Sequence, residues 1–275
     1  MSKAIVDTTI LTDVLLNSGE VKAIAESALS LYDQTLLPVY AIKEFKAGPL
    51  KNFVWMHNKL STLGSYEKSL DALQRMSRTP RRYTTSTAIQ GLKEASKSIG
   101  RSTPSTLVEK YGATASLDRS LCDEFRLALK TIIQRSWIKR RKVTTHVVCP
   151  LSCYREVAPF ERRGLLDLEP RDCTKNELCS MSLLLKQNPD KLQKMREAIK
   201  NSEKQENKRR AKVLRQLYRL PKQNIDTKDC QSLGDAVFVF LAEDDMVILT
   251  TNVLDHDQLA KSVGKKAVSP NQLIK

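Results

Sequence analysis

The segment AIVDTTILTD, residues 4–13, joins a short apolar run to an aspartate and then to apolar residues at helical spacing. Ala4 to Val6 predict a strand, and the apolar residues between Ile10 and Leu15 recur on one helix face. Asp7 therefore stands where a strand passes into a helix. Functional side chains gather beyond the carboxyl ends of parallel strands, so Asp7 is a candidate site residue.

Three further acidic residues accompany similar apolar runs. Glu44 follows a predicted strand at 36–41, Asp235 opens an apolar helical run, and Asp255 follows a predicted strand at 246–250. If both chain ends share one parallel sheet, we expect the four carboxylates to converge. Clustered carboxylates repel one another unless a divalent cation neutralises them. The pattern therefore predicts a metal site.

Length and composition restrict the class of protein. A chain of 275 residues can form one large or two small domains. The longest apolar stretch, 236–242, is far shorter than the about 20 residues that cross a bilayer, so no membrane span is expected. Asp7 argues against a secretory signal, and six cysteines do not form the pattern of a small disulfide scaffold. We expect a cytoplasmic protein.

The net charge of +15 is unevenly distributed. Residues 1–45 contain 3 basic and 6 acidic side chains, and residues 231–275 contain 4 and 6. The two ends are thus acidic, and the excess of positive charge lies between them. This distribution would suit a metal site served by a polyanion-binding surface. A solvated basic surface on a helical region would explain the charge equally well.

Four segments resemble, in order, the four motifs of PIN-domain nucleases. Each combines an acidic residue with a strand or a buried helix: AIVDTTILTD (4–13), VYAIKEF (39–45), GDAV (234–237) and LTTNVLD (249–255). The resemblance covers about a third of the chain. The number of residues between the second and third motifs, from Glu44 to Asp235, is much larger than a compact PIN domain needs.

The resemblance implies an α/β fold, a PIN-like three-layer α/β/α sandwich with a mainly parallel sheet. The nuclease domain would be discontinuous, formed by residues 1–48 and 231–265. Residues 49–230 would be a basic, mostly helical insertion, and residues 266–275 a loose tail.

The resemblance also implies roles for the acidic residues. Asp7 and Asp235 would be direct ligands of Mg²⁺ or Mn²⁺, and Glu44 and Asp255 would complete the shell or orient water. Asp257 is an alternative to Asp255.

Thr250 and Asn252 would support Asp255 by hydrogen bonds. Each acid alone has a purely structural explanation, as the N-cap of a helix or as a complement to a helix N-terminus.

Two basic segments are candidates for phosphate contacts. Lys139, Arg140, Arg141 and Lys142 follow Trp137, which could stack on a base or belong to the core. Arg78, Arg81 and Arg82 precede Tyr83 in a predicted loop. A third run, Lys208 to Arg210, is interpreted as the solvated face of a helix.

Four cysteines and a histidine raise the question of zinc. Cys149, Cys153, Cys173 and Cys179, with His146 nearby, could bind Zn²⁺ through thiolates. The spacings are looser than in common zinc modules, so separate thiols are the favoured interpretation.

Together these features predict a metal-dependent endoribonuclease, with DNA as a possible second substrate. PIN proteins often serve as toxins neutralised by an antitoxin, or in RNA processing, so a protein partner is also expected. The alternative is a non-catalytic nucleic-acid- or ribosome-binding protein on a PIN scaffold.

Overall fold

The computed structural model describes residues 2–79, 82–100, 104–112, 116–149, 151, 154–169, 179–219 and 225–274. The amino-terminal part contains β1 (Lys3–Val6), α1 (Thr8–Leu16), α2 (Glu20–Ser30), β2 (Gln34–Pro38), α3 (Val39–Phe45) and a π-helical turn (Lys46–Leu50). The carboxyl-terminal part contains α13 (Gly234–Leu241), β6 (Met246–Leu249), α14 (Val253–Ser262), β7 (Lys266–Val268) and α15 (Pro270–Leu273).

The middle of the chain is mostly helical. It contains α4 (Lys51–Leu63), α5 (Tyr66–Ser77), α6 (Arg82–Ile99), α7 (Pro104–Tyr111), α8 (Leu117–Lys139), a 3₁₀ turn (Arg140–Lys142), β3 (His146–Val148), β4 (Phe160–Arg162), β5 (Leu165–Asp167), α9 (Ser180–Lys186), α10 (Pro189–Ile199), α11 (Gln205–Arg219) and α12 (Thr227–Ser232).

Both ends of the chain contribute to one five-stranded sheet with the strand order β3-β2-β1-β6-β7. All four pairings are parallel, and Ile5 of β1 lies opposite Leu36 on one side and Ile248 on the other. The prediction of an α/β fold with a mainly parallel sheet is therefore confirmed. β3 comes from the middle segment and forms one edge of the sheet.

The central strand explains why the amino-terminal sequence specifies the sheet. Ala4, Ile5 and Val6 are all completely buried. A strand covered on both faces is apolar at every position, which is the usual pattern of parallel sheets. Burying these three side chains contributes several kcal/mol, at about 1.5–3 kcal/mol for each large aliphatic residue.

At β1, the direction in which successive strands are added to the sheet reverses. The chain proceeds from β1 to β2 on one side, whereas β6 lies on the other side and continues outward to β7. Right-handed crossovers then direct the connecting helices to opposite faces, which is compatible with three layers. The reversal opens a crevice at the carboxyl ends of β1 and β6, where open α/β sheets bind ligands.

The helical middle packs directly against the sheet domain. α4, α6 and α8 form its packed centre. The hydroxyl of Ser136, on α8, donates a 2.9 Å hydrogen bond to the carbonyl of Leu15 on α1. This bond and the pairing of β3 with β2 tie the middle segment to the amino-terminal part.

Two local predictions were wrong. The strand predicted at 36–41 ends at Pro38, and Val39 begins helix α3. A short apolar run fits a buried strand or a buried helix equally well, so its composition could not decide between them. Residues 266–275 are not a loose tail, because β7 pairs with β6 and Val268 is buried.

Candidate acidic site

Asp7 lies at the crevice, immediately after β1, and its backbone N–H donates to the carbonyl of Leu249 at 3.0 Å. Its Oδ1 accepts from the backbone N–H of Thr8 at 2.6 Å, and its Oδ2 accepts from the hydroxyls of Thr250 at 2.7 Å and Thr9 at 2.9 Å. Asp7 thus caps α1 and also joins the ends of β1 and β6.

Glu44 reaches the same place from α3. Its Oε2 accepts a 2.7 Å hydrogen bond from the hydroxyl of Thr8. Burial raises the pKa of Glu44 to about 7, and the nearby charges of Asp7 and Asp235 add to the rise. The carboxyl group therefore lacks the positive charge that would hold it fully ionised at neutral pH.

Asp235 lies in the first turn of α13. Its Oδ2 bonds to the guanidinium of Arg210, and its Oδ1 is 3.5 Å from Nε2 of His256. Burial raises the pKa of Asp235, although Arg210 and His256 oppose the rise. The charges of Asp7 and Asp235 raise the pKa of Glu44, and the charge of Asp7 raises the pKa of Asp235. The three carboxylates are called here the acidic cluster.

His256 is the histidine of this cluster. It is 1% exposed, and its Nε2 is 3.6 Å from Oδ2 of Asp7 as well as close to Asp235. Burial lowers the pKa of His256, but the two carboxylates more than compensate and raise it above its ordinary value. Protonated His256 would supply part of the missing positive charge.

The fourth predicted acid lies at the edge of the cluster. Asp255 accepts from Lys204 at 2.9 Å and from the side-chain amide of Asn252 at 2.5 Å. Asn252 therefore supports Asp255, as expected, whereas Thr250 supports Asp7. Asp257 pairs with Lys261 on the outer part of α14 at 2.7 Å.

The donor chemistry of the acidic cluster suits a hard divalent cation. It offers carboxylate oxygens from three separate segments, and burial together with the charges of Asp7 and Asp235 raises the pKa of Glu44. Within the described residues, however, no three His, Cys, Asp or Glu side chains are grouped so as to hold a metal ion. Arg210 already occupies one oxygen of Asp235.

An aromatic side chain borders the acidic cluster. Tyr83 lies in the first turn of α6 and is 66% exposed. Partial burial of its phenol raises the pKa of Tyr83, and the charges of Glu44, Asp7 and Asp13 contribute.

Hydrogen bonds attach helix α6, which carries Tyr83, to the amino-terminal part of the chain. On α6, Gln90 donates to Asn17 at 2.8 Å and Lys97 donates to Ser18 at 2.8 Å, both at the end of α1. The second half of α6 is therefore attached to the end of α1.

The predicted arginine group is only partly described. Arg78 is exposed at the end of α5. Arg81 lies outside the described residues, and so does the side chain of Arg82, whose backbone begins α6.

The basic run at 139–142 lies elsewhere. It precedes β3, so it lies at the amino-terminal ends of the parallel strands, whereas the acidic cluster lies at their carboxyl ends. Arg140 and Arg141 both bond to Glu156, at 2.5 and 2.8 Å, and Arg140 stacks on buried Trp137. Only Lys139 and Lys142 of this run are exposed with no described ion pair. Trp137 belongs to the core and does not present its ring to a base.

The zinc prediction falls largely outside the described residues. Cys153 and Cys173 are not described, and Cys149 and Cys179 are half-buried free thiols.

The sequence missed two central residues. Arg210 was interpreted as part of a solvated face, yet it is 1% exposed and bonded to Asp235. His256 was not among the predicted site residues, yet it lies between Asp7 and Asp235. The polar pair Thr8-Thr9 directly after Asp7 could have indicated hydrogen bonds to the acids of the site. No local pattern indicates that Arg210 bonds to a residue 25 positions away.

No protein-family model matches the chain, and neither curated proteins nor solved structures provide a match. Among the described helices, none combines the length and apolar character needed to cross a membrane.

Proposed function

We propose that this protein is a PIN-like, divalent-metal-dependent endoribonuclease. The observation that carries the proposal is the meeting of Asp7, Glu44 and Asp235 at the crevice of a parallel sheet. These residues come from three distant parts of the chain. Burial raises the pKa of Glu44, and the charges of Asp7 and Asp235 add to that rise. A separate structural role for each acid would not require the carboxylates to lie close enough for this added effect.

Each residue contributes a defined part of the proposed chemistry. Asp7, Glu44 and Asp235 would hold Mg²⁺ or Mn²⁺, with Asp255 further out. When bound, the cation would supply charge stabilisation for the phosphoryl group and would make water a better nucleophile. Thr9 and Thr250 fix the orientation of Asp7, and Thr8 fixes that of Glu44.

The substrate side of the proposal rests on charge and on Tyr83. The middle of the chain carries the positive charge, which favours a polyanion. Tyr83 offers an exposed ring beside the acids, and exposed rings of this kind stack on unpaired bases. RNA is the proposed substrate, and single-stranded DNA is the comparison in the test.

The test is a cleavage assay on purified full-length protein with mixed RNA or single-stranded DNA, in Mg²⁺, Mn²⁺ or EDTA. The Asp7→Asn/Asp235→Asn double variant should lose all metal-dependent cleavage. Asp257→Asn is the matched control, because it removes the same charge from a residue that pairs only with Lys261 among the described contacts. It should cleave like the wild type.

The outcomes separate the proposal from its alternative. Equal cleavage by the wild type and the double variant would point to a contaminating nuclease and would refute the assignment. Salt-sensitive RNA binding without cleavage under any metal condition would favour the non-catalytic nucleic-acid- or ribosome-binding alternative.

A further inference from the structure

Arg210 is a buried cation with an acceptor at each of its three nitrogens. Its Nε donates to the carbonyl of Ser232 at 2.5 Å, one terminal nitrogen donates to Oδ1 of Asn207 at 2.9 Å, and the other bonds to Oδ2 of Asp235. Its side chain is 1% exposed. A planar guanidinium held on three sides cannot reorient without breaking several of these bonds. Arg210 is therefore a fixed charge.

The fixed charge is directed at the acidic cluster. Because Oδ2 of Asp235 faces Arg210, only Oδ1 faces His256 and, beyond it, Asp7. A second cation from the same region, Lys204, bonds to Asp255 at 2.9 Å. The segment that begins with Lys204 and continues into α11 thus supplies a positive charge to each of the two acids from the carboxyl-terminal part.

We infer that Arg210 is a built-in counter-ion of Asp235, which keeps the acidic cluster assembled without a metal ion and competes with a divalent cation for Asp235. This inference rests on the proposed function, because it assumes that the cluster binds a divalent ion. Arg210 acts through Asp235 and is a positioning residue in this role.

The competition follows from charge and from geometry. Bringing two further positive charges next to a guanidinium in a poorly solvated site opposes binding. The cation must also either share Asp235 with Arg210 or displace it from Oδ2. Removing the charge of Arg210 should therefore strengthen metal binding, whereas removing a ligand would weaken it.

The experiment compares Mn²⁺ binding by the wild type, Arg210→Gln and Arg209→Gln. Free Mn²⁺ is measured by electron paramagnetic resonance, and the Mn²⁺-induced rise in Tm is measured in parallel. Arg209 is the matched control, because it is the neighbouring arginine of α11 and pairs with Asp226 and Asp229 instead of the cluster.

Arg210→Gln should melt at a lower temperature without metal, bind Mn²⁺ about tenfold more tightly, a gain of about 1.4 kcal/mol, and show the larger Mn²⁺-induced rise in Tm. Arg209→Gln should bind Mn²⁺ like the wild type. Equal or weaker binding by Arg210→Gln, with normal binding by the wild type, would overturn the inference and leave the proposed function intact. If none of the three proteins binds Mn²⁺, the proposed metal site fails and the inference fails with it.

A second measurement covers the case in which Arg210→Gln does not fold. In ¹⁵N-arginine-labelled wild type, the Nε–H signal of Arg210 is assigned by its loss in Arg210→Lys and followed during Mg²⁺ titration. The inference expects this signal to shift as Mg²⁺ binds. A signal that stays unchanged while Mg²⁺ binds, as shown by the signals of other residues, would overturn it.

Discussion

Glu44 and Asp235 in the acidic cluster are in the opposite electrostatic situation from Glu124 and Glu156 in the helical middle. In the middle segment, burial alone would raise the pKa values of Glu124 and Glu156, yet hydrogen bonds and charges from Lys110 and from Arg140 and Arg141 lower both. In the acidic cluster, the pKa values of Glu44 and Asp235 are raised instead, although burial of Asp7 is outweighed by His256 and the pKa of Asp7 is lowered. At Glu124 and Glu156 the neighbouring cations outweigh burial, whereas at Glu44 and Asp235 burial and neighbouring negative charge prevail.

This difference separates carboxylates that stabilise the fold from candidates for a function. A paired carboxylate that gains from being ionised contributes to stability. A buried carboxylate that is costly to ionise is kept at the expense of stability, and such groups concentrate at functional sites. The comparison makes the acidic cluster the better candidate for chemistry, and the following substitutions test it.

Glu44→Gln and Glu156→Gln should change stability in opposite directions, and Glu44→Gln is expected to have the largest effect. The pKa of Glu44 is about 7 in the folded protein and 4.5 ordinarily, so its ionisation weakens the fold as pH rises from about 4.5 to 7. At pH 8 without metal, Glu44→Gln should gain about 1–3 kcal/mol in the free energy of unfolding. At pH 4 the gain should vanish.

Glu156→Gln is the comparison for that result. The folded-state pKa of Glu156 is lowered, so its contribution is present at neutral pH and is lost as pH falls through the folded pKa. Glu156→Gln should therefore lose about 1 kcal/mol at pH 7. Urea denaturation from pH 4 to 8 measures both variants. Destabilisation of both at pH 8 would contradict the contrast between the two regions.

Gly234→Ala should disturb the acidic cluster through packing. An added Cβ would lie 2.7 Å from Oε1 of Glu44 and 2.9 Å from the hydroxyl of Tyr40. Alanine favours a helix, but this overlap should dominate and cost about 2 kcal/mol. Gly48→Ala is the control, because its added Cβ would meet nothing within 4 Å. Equal denaturation midpoints for the two variants would show that the cluster is loosely packed.

The sequence predicted the elements of the site better than their contacts. Local apolar patterns were enough to predict β1, β6 and the beginning of α13. Asp7 and Asp235 could be predicted as site residues because they stand next to two of these elements. α3 was missed because a short buried helix and a buried strand have the same composition. The bond between Arg210 and Asp235 depends on where α11 lies relative to the start of α13, and no local pattern encodes that placement.

Tyr83→Ala should weaken binding of single-stranded RNA about fivefold, close to 1 kcal/mol, because one base loses its stacking partner. Tyr83→Phe should bind normally, since stacking needs only the ring. Tyr218 is also exposed, at 51%, and Tyr218→Ala should have no effect. Fluorescence anisotropy in EDTA measures affinity without cleavage. Equal losses for the alanine and phenylalanine variants would mean that the hydroxyl, and not stacking, carries the contact.

Lys139→Gln/Lys142→Gln should have the smallest effect, and the effect should depend on RNA length. These lysines lie near the amino-terminal ends of the strands, whereas the acidic cluster lies at the carboxyl ends. An RNA of about six nucleotides that occupies the surface around Tyr83 should not reach them. A much longer RNA can contact both ends of the strands, and losing two phosphate contacts should then reduce the slope of log affinity against log salt by about 1.4.

Comparing the two RNA lengths therefore shows where Lys139 and Lys142 lie relative to the bound RNA, and no further variant is needed. A reduced slope with the long RNA alone would support a path from the acidic cluster across the helical middle to the amino-terminal ends of the strands. An equal reduction with both lengths would contradict the separation of the two regions, because it would place the lysines beside the acids. No change with either length would mean that Lys139 and Lys142 do not contact RNA. The whole run at 139–142 would then be structural, as Arg140 and Arg141 already are through their pairing with Glu156.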